Sequence, residues 1–410
     1  MSKHVPSGIR TSRVTKILGT STILAALCLL SACGTNGAYT TEGKNAAKEK
    51  MAQLKSATEW QMAQQAFLAG DLPKALKHVS VSIELNDKVV KSYVLRGRVL
   101  MEMGNLDGAT ASFAQAEKTD PADVDTWYYQ GILAERIDRK EEALRRYEGA
   151  NERDPSNPQY AIAAAEMLMA MDRLDEAEKF LEDRKAKFDH SPGVKQTLGH
   201  IAMLRGKPAD AIPMFNEARL LAPDDQAILE DLIRAQIATG EFGQAEVHLG
   251  RLLTNKDNAD RRDLLHARAK CLLQLDRPVD ARDLLIKITS DPNGTTDADA
   301  WVELGQVCYQ LRDQARLRTA SGRAIALAPT KPDGYVLRAL YLRQTGDMTG
   351  AEENLRRALD IKQSADSYIM LGVVQRDMKR LSEARANFAM ALKVDPTNTV
   401  APKLLAAVAE

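Results

Sequence analysis

The sequence predicts an all-α protein, a superhelical solenoid of about ten helix-turn-helix repeats closed by a C-terminal capping helix. Three observations carry this. A set of aromatic, glycine, alanine and proline marks returns every 34 residues. A small residue recurs once in each helix of a pair, at fixed register. Helix-stopping Gly and Pro stand at fixed offsets from those small residues. With 44% hydrophobic and 27% charged residues the chain has ample apolar material to bury, so the repeats are expected to stack rather than stay solvated.

Residues 1–55 precede the periodic region. Lys3, Arg10, Arg13 and Lys16 form a basic stretch, and Ile17 to Leu30 is mostly apolar. Such an apolar run falls short of the roughly 20 residues a membrane-spanning helix needs. A cleaved signal over residues 1–32 is therefore expected. The segment ends Leu30-Ser31-Ala32-Cys33, which resembles the bacterial lipobox. That resemblance implies a thioether-linked diacylglycerol and an N-acyl chain on Cys33, with no other cofactor. It also implies a cell-envelope location, and Gly34 in place of Asp implies the outer membrane, facing the periplasm. Residues 33–55 then serve as the lipidated Cys and tether. Gly34 to Thr41 lacks hydrophobic periodicity, and helix is expected from about Lys44.

The array is expected over residues 56–396. Trp127, Gly131, Ala143, Tyr147, Ala150 and Pro155 mark the clearest unit. They return 34 residues earlier as Tyr93, Gly97, Ala109, Phe113, Ala116 and Pro121, and 68 residues later as Gly199, Ala211, Phe215, Ala218 and Pro223. The small residue of each second helix is Ala75, Ala109, Ala143, Ala177, Ala211, Ala245, Ala281, Leu317, Ala351 and Ala384, Leu317 being the departure. Its partner in the first helix is Ala63, Gly97, Gly131, Ala165, Gly199, Ile233, Ala269, Gly305, Ala339 and Gly372. Small residues at both places predict close helix approach, which a larger side chain would overpack. This register resembles the tetratricopeptide (TPR) repeat, a hairpin of two antiparallel helices.

The pattern loosens in the middle of the chain, from the unit at about Gln226, and is most irregular over 255–298. Ile233 and Leu252 replace small residues, two steps lengthen from 34 to 36, and Ser290 to Gly294 reads as a turn. A local change of curvature in a continuous superhelix is expected there, with a hinge as the alternative. Residues 397–410 are expected to cap the last apolar face, the helix lying in Lys403 to Glu410.

The TPR resemblance implies a groove lined by the fifth and ninth places of each unit. The candidates are Trp60, Val94, Arg98, Tyr128, Ile132, Ile162, His200, Val302, Val336, Leu340 and Ile369. The Lys and Asn set that grips a C-terminal carboxylate in chaperone-type TPR clamps is absent from these places. Two apolar stretches, near Trp60 to Met169 and Val302 to Val373, flank a charged middle. Each is expected to hold an extended or helical segment of a protein partner.

Other chemistry finds little support. The six His are scattered without zinc spacing, so no metal site is expected, although His200 and His266 map to the groove. No phosphate-binding glycine motif or nucleophile elbow occurs. Acidic pairs such as Glu141-Glu142 sit where carboxylates favour a helix start. No enzymatic activity and no small-molecule substrate are expected. Lys plus Arg equals Asp plus Glu at 56 each, which gives no pull toward nucleic acid. Cys271 and Cys308 lie on neighbouring first helices, too far apart for a ready disulfide, and are expected as buried thiols.

Lipobox, tether and repeats together resemble the bacterial TPR lipoproteins that assist pilus assembly, both pilotins and the tight-adherence class. That resemblance implies a membrane-anchored scaffold binding protein partners in pilus or secretion-complex assembly. The same architecture also suits an exopolysaccharide-export scaffold, or an adaptor for envelope proteases or peptidoglycan enzymes.

Overall fold

Ten times along the chain a helix ends on a left-handed residue and a second helix starts two residues later. The turn residues are Gly70, Gly104, Asp138, Asp172, Gly206, Gly240, Asp276, Arg312, Gly346 and Lys379, all with φ between 55° and 92°. After each, a backbone N–H donates to the carbonyl five residues back, as Arg139 does to Ala134 and Asp313 to Cys308, both at 2.8 Å. This closure satisfies carbonyls that the helix end would otherwise leave bare. At four of the ten turns, Gly70, Gly104, Gly240 and Gly346, the sequence itself signals the stop, with a glycine in the turn within the unit. The others place Asp, Arg or Lys where a side chain is strained, or, at Gly206, a glycine the pattern passed over.

The computed structural model describes residues 40–292 and 294–408. The signal, Cys33 and residues 34–39 of the tether lie outside the described residues, as does Asn293 of the expected turn. The chain divides into two compact units between Pro155 and Ser156. The first unit holds α1 (Thr41–Leu68), α2 (Leu72–Leu85), α3 (Val90–Glu102), α4 (Leu106–Thr119), α5 (Val124–Arg136) and α6 (Lys140–Arg153). The second begins with α7 (Pro158–Ala170), α8 (Leu174–Glu182), α9 (Pro192–Leu204), α10 (Pro208–Leu221), α11 (Gln226–Thr239) and α12 (Phe242–Thr254). It continues with α13 (Arg262–Gln274), α14 (Pro278–Ser290), α15 (Ala298–Gln310), α16 (Gln314–Leu327), α17 (Asp333–Thr345) and α18 (Met348–Ile361). It ends with α19 (Ala365–Asp377), α20 (Leu381–Val394) and α21 (Ala401–Ala407). No strand occurs among the described residues. Odd and even helices pair as hairpins, and within each unit successive hairpins stack, which is the repeat solenoid expected.

The first helix starts at Thr41 rather than near Lys44, because the Thr40 hydroxyl accepts from the Gly43 N–H and caps it. It runs through residue 55 without a break. The second-helix row, from Ala75 to Ala384 and including Leu317, is fully buried at every one of its ten places.

The first-helix row has a different cause from the one expected. Four of its five glycines receive rings. A Cβ on Gly199 would lie 2.5 Å from the Phe215 ring, one on Gly131 2.5 Å from Tyr147, and one on Gly372 2.6 Å from Phe388. Gly97 meets Phe113 in the same way. Where the first helix carries Ala or Ile instead, the equivalent second-helix place holds an aliphatic: Ala63 and Val79, Ala165 and Leu181, Ile233 and Leu249, Ala269 and Leu285, Ala339 and Leu355. All nine of these aliphatics and rings are buried to 1% exposure or less. A ring on the second helix thus goes with a glycine on the first, and an aliphatic with a residue that keeps its Cβ, as close packing requires. The eighth hairpin departs. Ser321 replaces the large residue, Leu317 enlarges the neighbouring place, and Leu337 of α17 fills the space over Gly305, its Cδ1 2.6 Å from where a Cβ would be.

The irregular region consists of a seven-residue loop, 255–261, and a 3-10 turn at Gly294–Thr296 before α15. The core continues through it. Leu265, Leu285, Ile288, Leu304 and Leu337 belong to one buried cluster, with Leu253 packed against it. Cys308 lies in this cluster and Cys271 in the preceding one; both are free and buried. At the C-terminus, Val408 is buried against Ala384 and Phe388, with Leu404 and Leu405 beside it, so α21 covers the last hairpin. The cap begins at Ala401, two residues before the expected Lys403.

Candidate functional site

The odd-numbered helices carry the expected groove residues, and the structure sorts them into three groups. In the first unit they are engaged by their own neighbours. The Trp60 indole donates to the Lys91 carbonyl at 3.2 Å, and the Lys91 ammonium lies 4.1 Å above its ring. Arg98 sits between Phe67 and Tyr129, 4.9 and 4.5 Å from their centroids. Such cation–π contacts hold both partners in place. Tyr128 meets Tyr129 edge-on at 5.4 Å, and Ile132 packs on the cluster of Phe113 and Leu133. Val94 is buried in that cluster and offers no open surface, contrary to expectation.

The second group, in the second unit, is charged. Ile162 opens it but is itself covered, its Cδ1 lying against Gly193 of α9, which corrects its assignment to the groove. Beyond it runs a ladder of polar contacts between successive first helices. The His200 Nε2 and the Gln196 amide both meet the buried Asp231 carboxylate, at 2.8 and 2.6 Å, and Arg234 meets its other oxygen. Burial pushes the Asp231 carboxyl up, but the bonds from His200, Gln196 and Arg234 outweigh it and bring it down to about 2. Arg261 is paired with Glu230. The His266 Nδ1 meets Glu303 at 2.7 Å, and Lys270 meets the other Glu303 oxygen at 3.3 Å. The bond to Glu303 raises the His266 imidazole against the opposing effect of burial. The two groove-facing His therefore tie neighbouring hairpins together. Among the described residues no group of three or more His, Cys, Asp or Glu is placed to hold a metal.

The third group forms an open site. Val302, Val336, Leu340 and Ile369 come together across α15, α17 and α19. Two adjoining pockets, of about 300 and 180 Å³, share Leu340 and Met370. The larger opens beside Gln306, Asp333 and Asp366; the smaller is mostly apolar and is floored by Leu355 and Val374. Helical spacing sets the stripe: Val302, Gln306 and Tyr309 on α15 and Val336, Leu340 and Arg343 on α17 stand four and three residues apart. Tyr309, Arg343 and Met370 were not among the expected residues. Extending the fifth and ninth places by one helical turn finds the first two.

Known proteins place this geometry in context. Three sequence-family profiles, all described as tetratricopeptide repeat, match residues 94–158, 139–201 and 202–268, and 332–364 and 365–398. Together they span more than half of the chain. Among solved structures, the C-terminal part of a TPR repeat-containing protein from Cytophaga hutchinsonii is 17% identical, with a TM-score of 0.47 over 60% of this chain and 99% of its own. PilW, described as a widely conserved type IV pilus biogenesis factor, is 20% identical, with a TM-score of 0.43 over 49% of this chain and 93% of its own. PilF of Pseudomonas aeruginosa is 13% identical, with a TM-score of 0.38 over 59% and 92%. No curated protein matches the sequence significantly. With its ten hairpins in register and these profiles across most of them, the chain belongs to the tetratricopeptide-repeat family.

Proposed function

We propose that this chain is a lipid-anchored scaffold of the cell envelope that holds a protein segment in the α15–α17–α19 groove during assembly of a pilus or secretion complex. One observation carries the binding reading: Val302, Val336, Leu340 and Ile369, from three successive hairpins, converge on two adjoining, mostly apolar pockets that no helix among the described residues covers. A row of apolar anchors at helical and inter-helical spacing suits the apolar face of an extended or helical segment. The anchor reading rests on the Leu30-Ser31-Ala32-Cys33 sequence, and the pilus setting on likeness in architecture. No helix among the described residues is long and apolar enough to cross a membrane. In this reading, acyl chains on Cys33 provide the attachment.

A photo-crosslinking residue at Val336 tests the groove in the native host. One discrete protein adduct, absent when the probe stands at exposed Val247, is expected. Equal labelling at both positions refutes the groove. Cys33→Ser tests the anchor: it should leave the melting temperature unchanged and move the protein out of the membrane fraction.

A further inference from the structure

Helix α16 carries Arg316, Arg318 and Arg323 and no acidic residue, unlike the second helix of every other hairpin. Arg316 is paired with Asp313 at 2.7 Å. Arg318 and Arg323 are not so paired. With Arg338 of α17 they line an open cleft of about 460 Å³, whose remaining wall is Ala315, Thr319 and Gly322. Among the described residues no carboxylate pairs with any of the three. Their contacts are of another kind. The Arg323 guanidinium lies 6.0 Å from the Trp301 ring and that of Arg338 5.5 Å from Tyr341, while one Arg338 N–H donates to the Arg318 carbonyl at 3.4 Å. Aromatic contact orients a guanidinium through its plane and leaves the donors on its edge available. Each guanidinium has five such donors, and this trio commits one of them to the protein.

Gly322 is an independent observation. It lies inside a helix, where glycine is unfavourable. Its φ is not left-handed, and nothing lies within 4 Å of where its Cβ would be. The first-helix glycines that receive rings have a packing reason; Gly322 has none. A bare helix surface at the floor of a cation-lined cleft is what close approach of a ligand to backbone requires.

We infer that this cleft binds a phosphate group, either a soluble phosphate-bearing anion or the headgroup of an anionic phospholipid. Three uncompensated cations suit a multiply charged, tetrahedral oxyanion better than a single carboxylate, and planar guanidinium forks match its oxygen edges. The site is independent of the apolar groove and stands or falls apart from it.

Calorimetric titration of the full chain with inorganic pyrophosphate at low ionic strength tests the soluble source. Flotation of the Cys33→Ser chain with phosphatidylglycerol vesicles, against phosphatidylcholine vesicles, tests the lipid source. Arg318→Gln with Arg338→Gln should weaken whichever binding is seen about tenfold or more. Gly322→Leu fills the floor without removing a charge, and should weaken it similarly with no loss of thermal stability. Binding in the first arm alone assigns a soluble anion, and in the second alone a headgroup. No binding in either arm, or binding that neither the arginine pair nor Gly322→Leu alters, overturns the site.

Discussion

The Phe215 ring lies where a side chain on Gly199 would be: a Cβ there would stand 2.5 Å from the ring. The two residues face each other across one hairpin, and the same pairing of ring and glycine recurs at Phe113, Tyr147 and Phe388. In four other hairpins the equivalent places hold an aliphatic and an alanine; in the remaining two they hold Leu249 with Ile233 and Ser321 with Gly305.

This complementarity predicts coupled mutations. Gly199→Ala should destabilise the protein by about 1–3 kcal/mol through overpacking. Phe215→Leu alone should destabilise it by opening a void. The double substitution recreates the pair found at Ala165 and Leu181, and should be more stable than the sum of the single effects predicts. Urea denaturation of the four proteins measures this, and strict additivity would refute the size rule.

The left-handed turns give a second prediction. Arg312 and Lys379 adopt φ of 55° and 63°, where Gly occurs in five equivalent turns. A side chain there costs about 1 kcal/mol relative to glycine. Arg312→Gly and Lys379→Gly should each raise the melting temperature, even though glycine loses more freedom on folding. Asp138→Gly should help less, since Asp tolerates this conformation.

A third concerns pH. Glu303, first among the causes, and Asp297 raise His266 above its ordinary 6.5, opposed by burial; Lys270 and Arg262 also face this cluster. A folded-state value above the unfolded one means the stabilisation is full below the unfolded value and fades as pH rises through the folded one. His248 is held low, chiefly by burial and then by Arg219 and Arg251, and acts oppositely, its contribution fading as the solution is acidified. His266→Gln should therefore destabilise the protein more at pH 5.5 than at pH 8.5, by chemical denaturation. An equal loss at both would show that the pair carries no charge-dependent stabilisation.

Thiol chemistry gives the fourth. Burial pushes Cys308 up to about 11 and raises Cys271 as well, so neither is a thiolate near neutrality. Peptide mapping after alkylation should find both unmodified in the native protein and both labelled after denaturation. Labelling of either under native conditions would contradict their burial.

Hairpin count and register were legible in the chain because they rest on local spacing: Ala109, Ala143 and Ala211 lie where turns of a helix put them whatever lies beyond. The site was only partly legible. Val94 and Ile162 share a register with Val336, yet Val94 lies inside its own cluster and Ile162 is covered by α9 at Gly193. Register says which side of a helix a residue occupies, and says nothing of how closely the next hairpin covers it.

The order of side chains alone thus determined that helices form, where they pair and where some of them stop, since these follow from backbone sterics and helical period. Tertiary structure decided which stretch of the expected groove stays open. It also decided that the recurring glycines serve rings, and that Gly322 serves none. Those outcomes depend on volumes supplied by residues sixteen or more places away, and close packing is settled only when all of them are present.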